Sequence, residues 1–221
     1  MGYEWQFAPV LRAWALLAQG GIGTLKLTGA ALLLGLPLGL GLAVVRIARV
    51  PMLARAALLY TEFFRLSAAI VLLYWCYFAL PVLLGVTFDA FTAALLAIGL
   101  QAAAFYGEVF RSGLQSVPRG QWDAARAIGM RGPKALRWII LPQAIRATVP
   151  VFLVRLVDLL KTTSLAAVIA YPDIVYAASR IASDTYRPIE TYTVLGGIFF
   201  VVIFSLSRAA RALERRLAPA R

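Results

Sequence analysis

Four stretches of the chain carry no charged residue: 27–45, 66–88, 90–107 and 191–207. Each is close to the ~20 residues an α-helix needs to cross the hydrocarbon of a bilayer. A fifth stretch, 145–170, is apolar but is interrupted by Arg155, Asp158 and Lys161. The pattern predicts an all-α integral membrane protein with five transmembrane helices, over about 22–45, 60–83, 89–110, 145–170 and 190–208. Gly35, Pro37, Gly39 and Gly41 in the first span predict either close helix packing or a kink.

Composition supports lipid as the solvent. Hydrophobic residues make up 62% of the 221 positions, charged residues 14%, and mean hydropathy is +0.80; soluble domains are about half apolar and about a quarter charged. The net charge of +12 would point to nucleic acid in a soluble protein. Here the basic residues flank apolar runs, so they orient the chain, and no nucleic-acid partner is expected. Arg46, Arg49 and Arg55 follow the first span, and residues 111–146 hold Arg111, Arg119, Arg126, Arg131, Lys134, Arg137 and Arg146 against Asp123 alone. The tail adds Arg208, Arg211, Arg215 and Arg216. The turn near Asp89 and the segment 172–190 are poor in basic residues. Basic loops face the cytoplasm, which predicts the N-terminus outside and the C-terminus inside. The expected organisation is an extracytoplasmic segment 1–19, a membrane domain 20–210 and a cytoplasmic basic tail 211–221. No signal peptide is expected, because residues 1–20 carry Glu4 and Arg12 and the first apolar run is too long for a signal core.

The candidate chemistry is sparse. The absence of histidine removes the commonest metal ligand and the histidine-based catalytic pairs, and the lone Cys76 rules out disulfide frameworks and cysteine metal clusters. No phosphate-binding G-x-x-x-x-G-K-[ST] loop occurs.

The segment 111–142 is too long to be a simple connection. Pro118 can open a helix that Ala124, Ala125 and Ala127 continue; Gly129 stands where a left-handed cap would end it. Pro133 can open a second short helix, and Pro142 introduces the next span. A solvated basic loop that only sets topology is the plainer reading of such a composition. The spelling argues otherwise. Asp123-Ala124-Ala125, then Gly129 after three residues, Ile139 after nine more, and Leu141-Pro142, resembles the "EAA" signature of ABC importer permeases. GGIGTL at 20–25 resembles the G-x-x-x-T-L of the polar amino-acid group of that family. YGEVFRSGLQSVPRGQWDAARA at 106–127 and LKTTSL at 160–165 resemble its stretches before the signature and in the fourth span. Asp123 departs from the usual Glu, and RLSAA at 65–69 stands where the group reads R-G-T-P-L.

The resemblance implies a type I importer transmembrane domain in the bacterial cytoplasmic (inner) membrane, multi-pass, with cytoplasmic coupling helices between spans three and four. It implies that Asp123, Ala124, Ala125, Gly129, Ile139, Leu141 and Pro142 couple the chain to a separate, dimeric ATPase subunit. ATP and Mg would then bind that partner, and this chain would bind no cofactor and no metal and be no enzyme. It further implies a second permease subunit, an extracytoplasmic substrate-binding protein, and amino acids or similar small polar nutrients as cargo. The missing Gly and Pro at 65–69 predict a straight second span, and hence a heterodimer with a companion that keeps the motif, in preference to a homodimer.

Ionisable residues at membrane depth are costly and mark candidate sites. Glu62 with Arg65, Glu108 with Arg111, and Asp158 with Lys161 are spaced i, i+3 and can neutralise one another on one helix face. Asp158 and Lys161, with the hydroxyls of Thr162, Thr163 and Ser164, could hold the ammonium and carboxylate of a zwitterion; Glu62, Arg65 and Glu108 are further substrate-path candidates. Tyr74, Trp75, Tyr77 and Phe78 read as interface belt or helix packing. Two other functions fit a chain of this kind. A secondary transporter would usually show two matching halves, and five unlike spans offer none. An intramembrane enzyme would need clustered acids or histidines at one interface.

Overall fold

The first apolar run folds as one helix that is longer than the run itself. In the computed structural model, which describes residues 3–48 and 50–217, a short helix α1 (Ala8–Arg12) leads into α2 (Trp14–Ile47). α2 has 34 residues, roughly 51 Å at 1.5 Å per residue. It begins inside the stretch 1–19 that the sequence left outside the membrane domain. Its glycines serve packing: a Cβ on Gly35 would stand 2.9 Å from Ala102 Cβ, and one on Gly39 would stand 2.8 Å from the Ala103 oxygen and the Gly107 nitrogen. These neighbours belong to α6 (Ala90–Gln115), so small residues bring the α2 and α6 backbones together. Around this pair sits the main core, with Leu27, Leu73, Cys76, Ile98 and Tyr106 buried in it.

The second span is not straight, contrary to expectation. α3 (Pro51–Leu66) and α4 (Ala69–Tyr74) are separated by Ser67 and Ala68, both in extended geometry; a π-helical turn over Trp75–Ala79 joins α4 to α5 (Leu80–Leu84), and the two halves of the span meet at 104°. Neither Gly nor Pro makes the break. Gln101, buried on α6, donates through Nε2 to the carbonyls of Phe64 (3.1 Å) and Ser67 (2.9 Å), and the Ser67 hydroxyl donates to Phe63 O (2.6 Å). Carbonyls released at a break inside a membrane need such partners. The ground for preferring a heterodimer therefore falls away, since the bend exists without the R-G-T-P-L spelling.

After α6 come α7 (Arg119–Ala127) and α8 (Gly132–Ala135), then a π-helical turn over Leu136–Ile140 that runs into α9 (Leu141–Thr163). Both π turns directly precede a helix whose first turn holds a proline, Pro81 or Pro142. A proline cannot donate to the carbonyl four residues back and its ring crowds that group, here Tyr77 and Trp138; the wider turn relieves the clash. A 3₁₀ segment (Ser164–Ile169) follows, then α10 (Ile174–Thr185) and α11 (Pro188–Leu217).

The sequence predicts five spans, with the charged fourth unlike the rest. Among the described residues three helices are long and apolar enough to cross alone, α2, α6 and Pro188–Leu213 of α11, with the bent α3–α5 unit as a fourth. α9, on which the expected span 145–170 falls, carries Arg155, Asp158 and Lys161 and does not reach that apolarity. Arg49, the last four residues of the basic tail, and the side chains of Glu214, Arg215 and Arg216 lie outside the described residues.

At the end of the bundle that holds Asp89 and Asp173, the GGIGTL stretch has a structural use. Thr24 Oγ accepts from the Ile174 N–H (3.1 Å) and donates to Gly20 O (3.2 Å), and Tyr171 OH donates to Gly23 O (2.9 Å). A Cβ on Gly23 would lie 2.2 Å from the Pro172 oxygen. Glu190, fully buried in the first turn of α11, accepts from Tyr3 OH (2.5 Å) and the Gln6 N–H (3.0 Å), which ties the N-terminal segment to that helix.

Candidate functional site

The α7–α8 unit is a hydrogen-bonded helix–turn–helix with a capped turn. Gly129 has φ +75°, the left-handed geometry expected of it. The Met130 N–H donates to Ala125 O (3.0 Å) and the Gly129 N–H to Arg126 O (2.9 Å), the paired bonds of a Schellman cap. Ala125 and Ala135 are buried where the two helices meet. Val117, Ile140 and Ala144 form a small core beneath them, with Leu114, Trp122 and Ile139 packed on it. Gln143 Nε2 donates to Ile139 O (3.0 Å) and to Gln121 Oε1 (3.3 Å), fastening α7 to the start of α9.

The outer surface of this unit carries apolar groups: Ile128 is 74% exposed and Trp138 70%, and Leu136 and Leu141 are also exposed. Ala124 and Pro142 are exposed, and Asp123 is held by Arg126 (2.7 Å) on the solvent side. An exposed, buttressed apolar knob among basic residues is what a docking element looks like. Between α7 and the ends of α2 and α6 lies a cleft of about 1350 Å³, bordered by Arg46, Arg119, Trp122, Asp123 and Arg126.

The intramembrane charges divide differently from their sequence pairing. Glu108 accepts from Arg46 Nη1 of α2 (2.7 Å) and from the Arg111 guanidinium, so it bolts α2 to α6 and has no oxygen left for a ligand. Asp158 pairs with Arg155 (3.5 Å) and not with Lys161. Among the described residues no carboxylate lies within 4 Å of Lys161. Arg65 and Glu62 approach loosely, at 3.7 Å. Thr163 shares a buried hydroxyl contact with Thr28 (2.9 Å) and donates to Leu160 O, and Ser164 is buried beside it, so both are interior packing groups.

What remains is a cleft of about 310 Å³ midway along α6, lined by Gln101, Phe105, Tyr106, Arg155, Asp158, Lys161 and Thr162. The Phe105 ring lies 4.7 Å from the Arg155 guanidinium and 6.0 Å from that of Arg65, which brings the broken second span to the same place. Gln101 and Phe105 escaped sequence reasoning. Gln101 is an uncharged polar residue in a run of alanines, and that one polar position in an apolar helix was the available signal.

Residues 35–219 match the binding-protein-dependent transport system inner membrane component family. The chain belongs to this family. A full-length relative in it is the glutamate/aspartate import permease protein GltK of Escherichia coli O6:H1, 33% identical over 223 residues, covering 98% of this chain and all of GltK. The octopine transport system permease protein OccM of Rhizobium meliloti is 41% identical over 106 residues, 48% of this chain and 43% of OccM, so that match spans less than half of the relative. Among solved structures, an amino acid ABC transporter crystallised with histidines superposes with a TM-score of 0.92 at 32% identity, over 97% of this chain and 100% of that one. The inward-facing MetNI methionine transporter, at 23% identity and TM-score 0.73, shares the fold. The all-helical architecture is thus that of a type I ABC importer permease in this inner-membrane component family.

Proposed function

We propose that this chain is the membrane-spanning permease subunit of a binding-protein-dependent ABC importer for amino acids or similar small polar nutrients, driven by ATP hydrolysis on a separate subunit. The observation that carries the reading is the α7–Gly129–α8 knob, capped, buttressed from below and apolar outside. A loop that merely set topology would need none of these.

In this reading the end of the bundle bearing Arg46, Arg119 and Arg126 faces the cytoplasm, which puts the N-terminus outside and the C-terminus inside. The bent α3–α5 unit serves as the second crossing and α9 with its 3₁₀ extension as the fourth. The fourth tolerates its charges because they face a cleft in protein and not lipid. The membrane domain is 20–210, extended at its front by the first turns of α2. ATP and Mg bind the ATPase dimer, and this chain binds neither. Asp123, Ala124, Ala125, Gly129, Ile139, Leu141 and Pro142 form the coupling unit in different ways: Ala125 and Ile139 anchor it, Gly129 sets its turn, and Ala124, Leu141 and Pro142 lie at its surface with Ile128 and Trp138. The substrate path runs by Arg65, Asp158, Lys161 and Thr162, with Glu62 at its margin; Thr163, Ser164 and Glu108 support it from within. A binding protein delivers cargo to the Asp89–Asp173 end, and a second permease, a copy of this chain or a companion, completes the path.

The test is co-expression of the tagged chain with a partner ATPase and binding protein. The ATPase should remain bound through detergent purification, and liganded binding protein should raise ATP hydrolysis several-fold. Uptake by the chain alone, driven by an ion gradient without ATP, would overturn the reading.

A further inference from the structure

The relatives named above carry different cargoes, so their names do not choose one for this chain, but the charges in the cleft do. Glu62 and Arg65 stand on α3, Arg155, Asp158 and Lys161 on α9, and the guanidiniums of Arg65 and Arg155 both approach the Phe105 ring of α6. Of the charged groups lining the cleft, Arg155 and Lys161 face Asp158 alone, which leaves one positive charge; Arg65 and Glu62, a pair of opposite charges, stand beside it.

The donors are in still greater excess. The two ion pairs are loose, at 3.7 and 3.5 Å, and neither is a hydrogen bond. Among the described residues the side chains of Arg65, Arg155 and Lys161 donate no hydrogen bond, and Arg65 Nε is sealed from solvent with no acceptor. A guanidinium presents five donors in a fixed fork and an ammonium three. Arg65 Nε apart, these donors are partly exposed, so an anion entering the cleft can take them in place of water. An acceptor that would take an ammonium, Asp158, lines the cleft as well. The cleft therefore matches one ammonium and more than one carboxylate. Its roughly 310 Å³ is at the small end of ligand pockets, in keeping with a single amino acid.

We infer that the cargo is an amino acid with a net negative charge, its ammonium held at Asp158 and its carboxylates divided between Arg155 and Lys161. Lys161 is then the residue that sets the charge preference, because its ammonium is the one left without a counter-ion. This inference rests on the permease reading and adds the substrate class to it.

The test uses the complete transporter, permease with ATPase, in detergent without binding protein, so that the receptor's own specificity does not enter. Binding of glutamate, glutamine and lysine is measured by calorimetry, for wild type and for K161Q and K161E. Glutamate should bind at least about tenfold tighter than glutamine, since a full charge interacts at short range in a partly dry cleft. K161Q should erase that preference, and K161E should reverse it. Equal or tighter binding of glutamine or lysine by wild type overturns the inference while leaving the permease reading intact. So does a glutamate preference that survives unchanged in K161Q and K161E. Binding of none of the three, with no ATP-dependent uptake of any amino acid when binding protein is restored, defeats the inference and the permease reading together.

Discussion

Replacing Gly129 with valine is expected to leave insertion and abundance at the wild-type level and to abolish ATP-driven uptake. The reason is local backbone strain. Gly129 sits at φ +75°, and nothing lies within 4 Å of where a Cβ would be, so a side chain would meet no neighbour. The difficulty is the left-handed conformation itself, which costs a β-branched residue about 1–3 kcal/mol. The cheapest relief is to undo the Schellman cap, which releases Met130 from Ala125 O and Gly129 from Arg126 O and lets α7 swing relative to α8. No apolar span is touched. Asparagine, which tolerates the left-handed region, should retain much of the uptake, and alanine should fall between. Uptake and substrate-stimulated ATP hydrolysis in proteoliposomes, at matched permease content, check the series. A graded loss from Gly through Asn and Ala to Val ties the effect to φ; uniform activity across the four removes the cap from the coupling account.

Glu108→Ala should destabilise the fold more than any other single change among the intramembrane charges. Its carboxylate holds Arg46 at 2.7 Å and the Arg111 guanidinium on its other side, and the three side chains are at most 25% exposed. Removing the anion leaves two cations facing each other where neither is well solvated. Breaking a buried pair in this way costs about 3–5 kcal/mol, and the partial exposure here argues for the lower figure. Removing Arg46 as well should restore part of the loss, because Arg111, near the end of α6, can then turn toward water. Thermal unfolding in detergent of both single variants and the double gives the coupling between them. A Glu108→Ala midpoint equal to wild type would show that the clamp carries no stability.

Much of this was legible in the sequence because membrane insertion and capping are local rules. Uncharged runs located α2, α6 and α11. Gly129 followed from its place after an alanine-rich helix, since few residues other than glycine take φ +75° readily. What the sequence hid was contact across helices. The break at Ser67–Ala68 has no signal of its own; it depends on Gln101, 34 residues away, to satisfy the carbonyls. The assumption that only Gly or Pro breaks a span failed for that reason. The i, i+3 rule paired Asp158 with Lys161, yet the same rule run toward the N-terminus gives Arg155, which is the partner found. Spacing cannot choose between two cations that flank one acid. It was equally blind to Arg46, which reaches Glu108 from a different helix.

The central claim is that the α7–α8 knob seats on an ATPase subunit, and chemical cross-linking tests it most directly. The chain has one cysteine, Cys76, buried at 5% exposure, whereas Ile128 is 74% exposed at the tip of the knob. Ile128→Cys therefore places a single reactive thiol at the proposed contact. With a bifunctional maleimide and a cysteine introduced in the cytoplasmic ATPase, membranes carrying the complete transporter should yield a permease–ATPase adduct. ATP should alter its yield, and Gly129→Val should sharply reduce it. An actively transporting complex in which Ile128→Cys labels freely with soluble maleimide, yet forms no adduct with any position on the ATPase surface, would contradict the account.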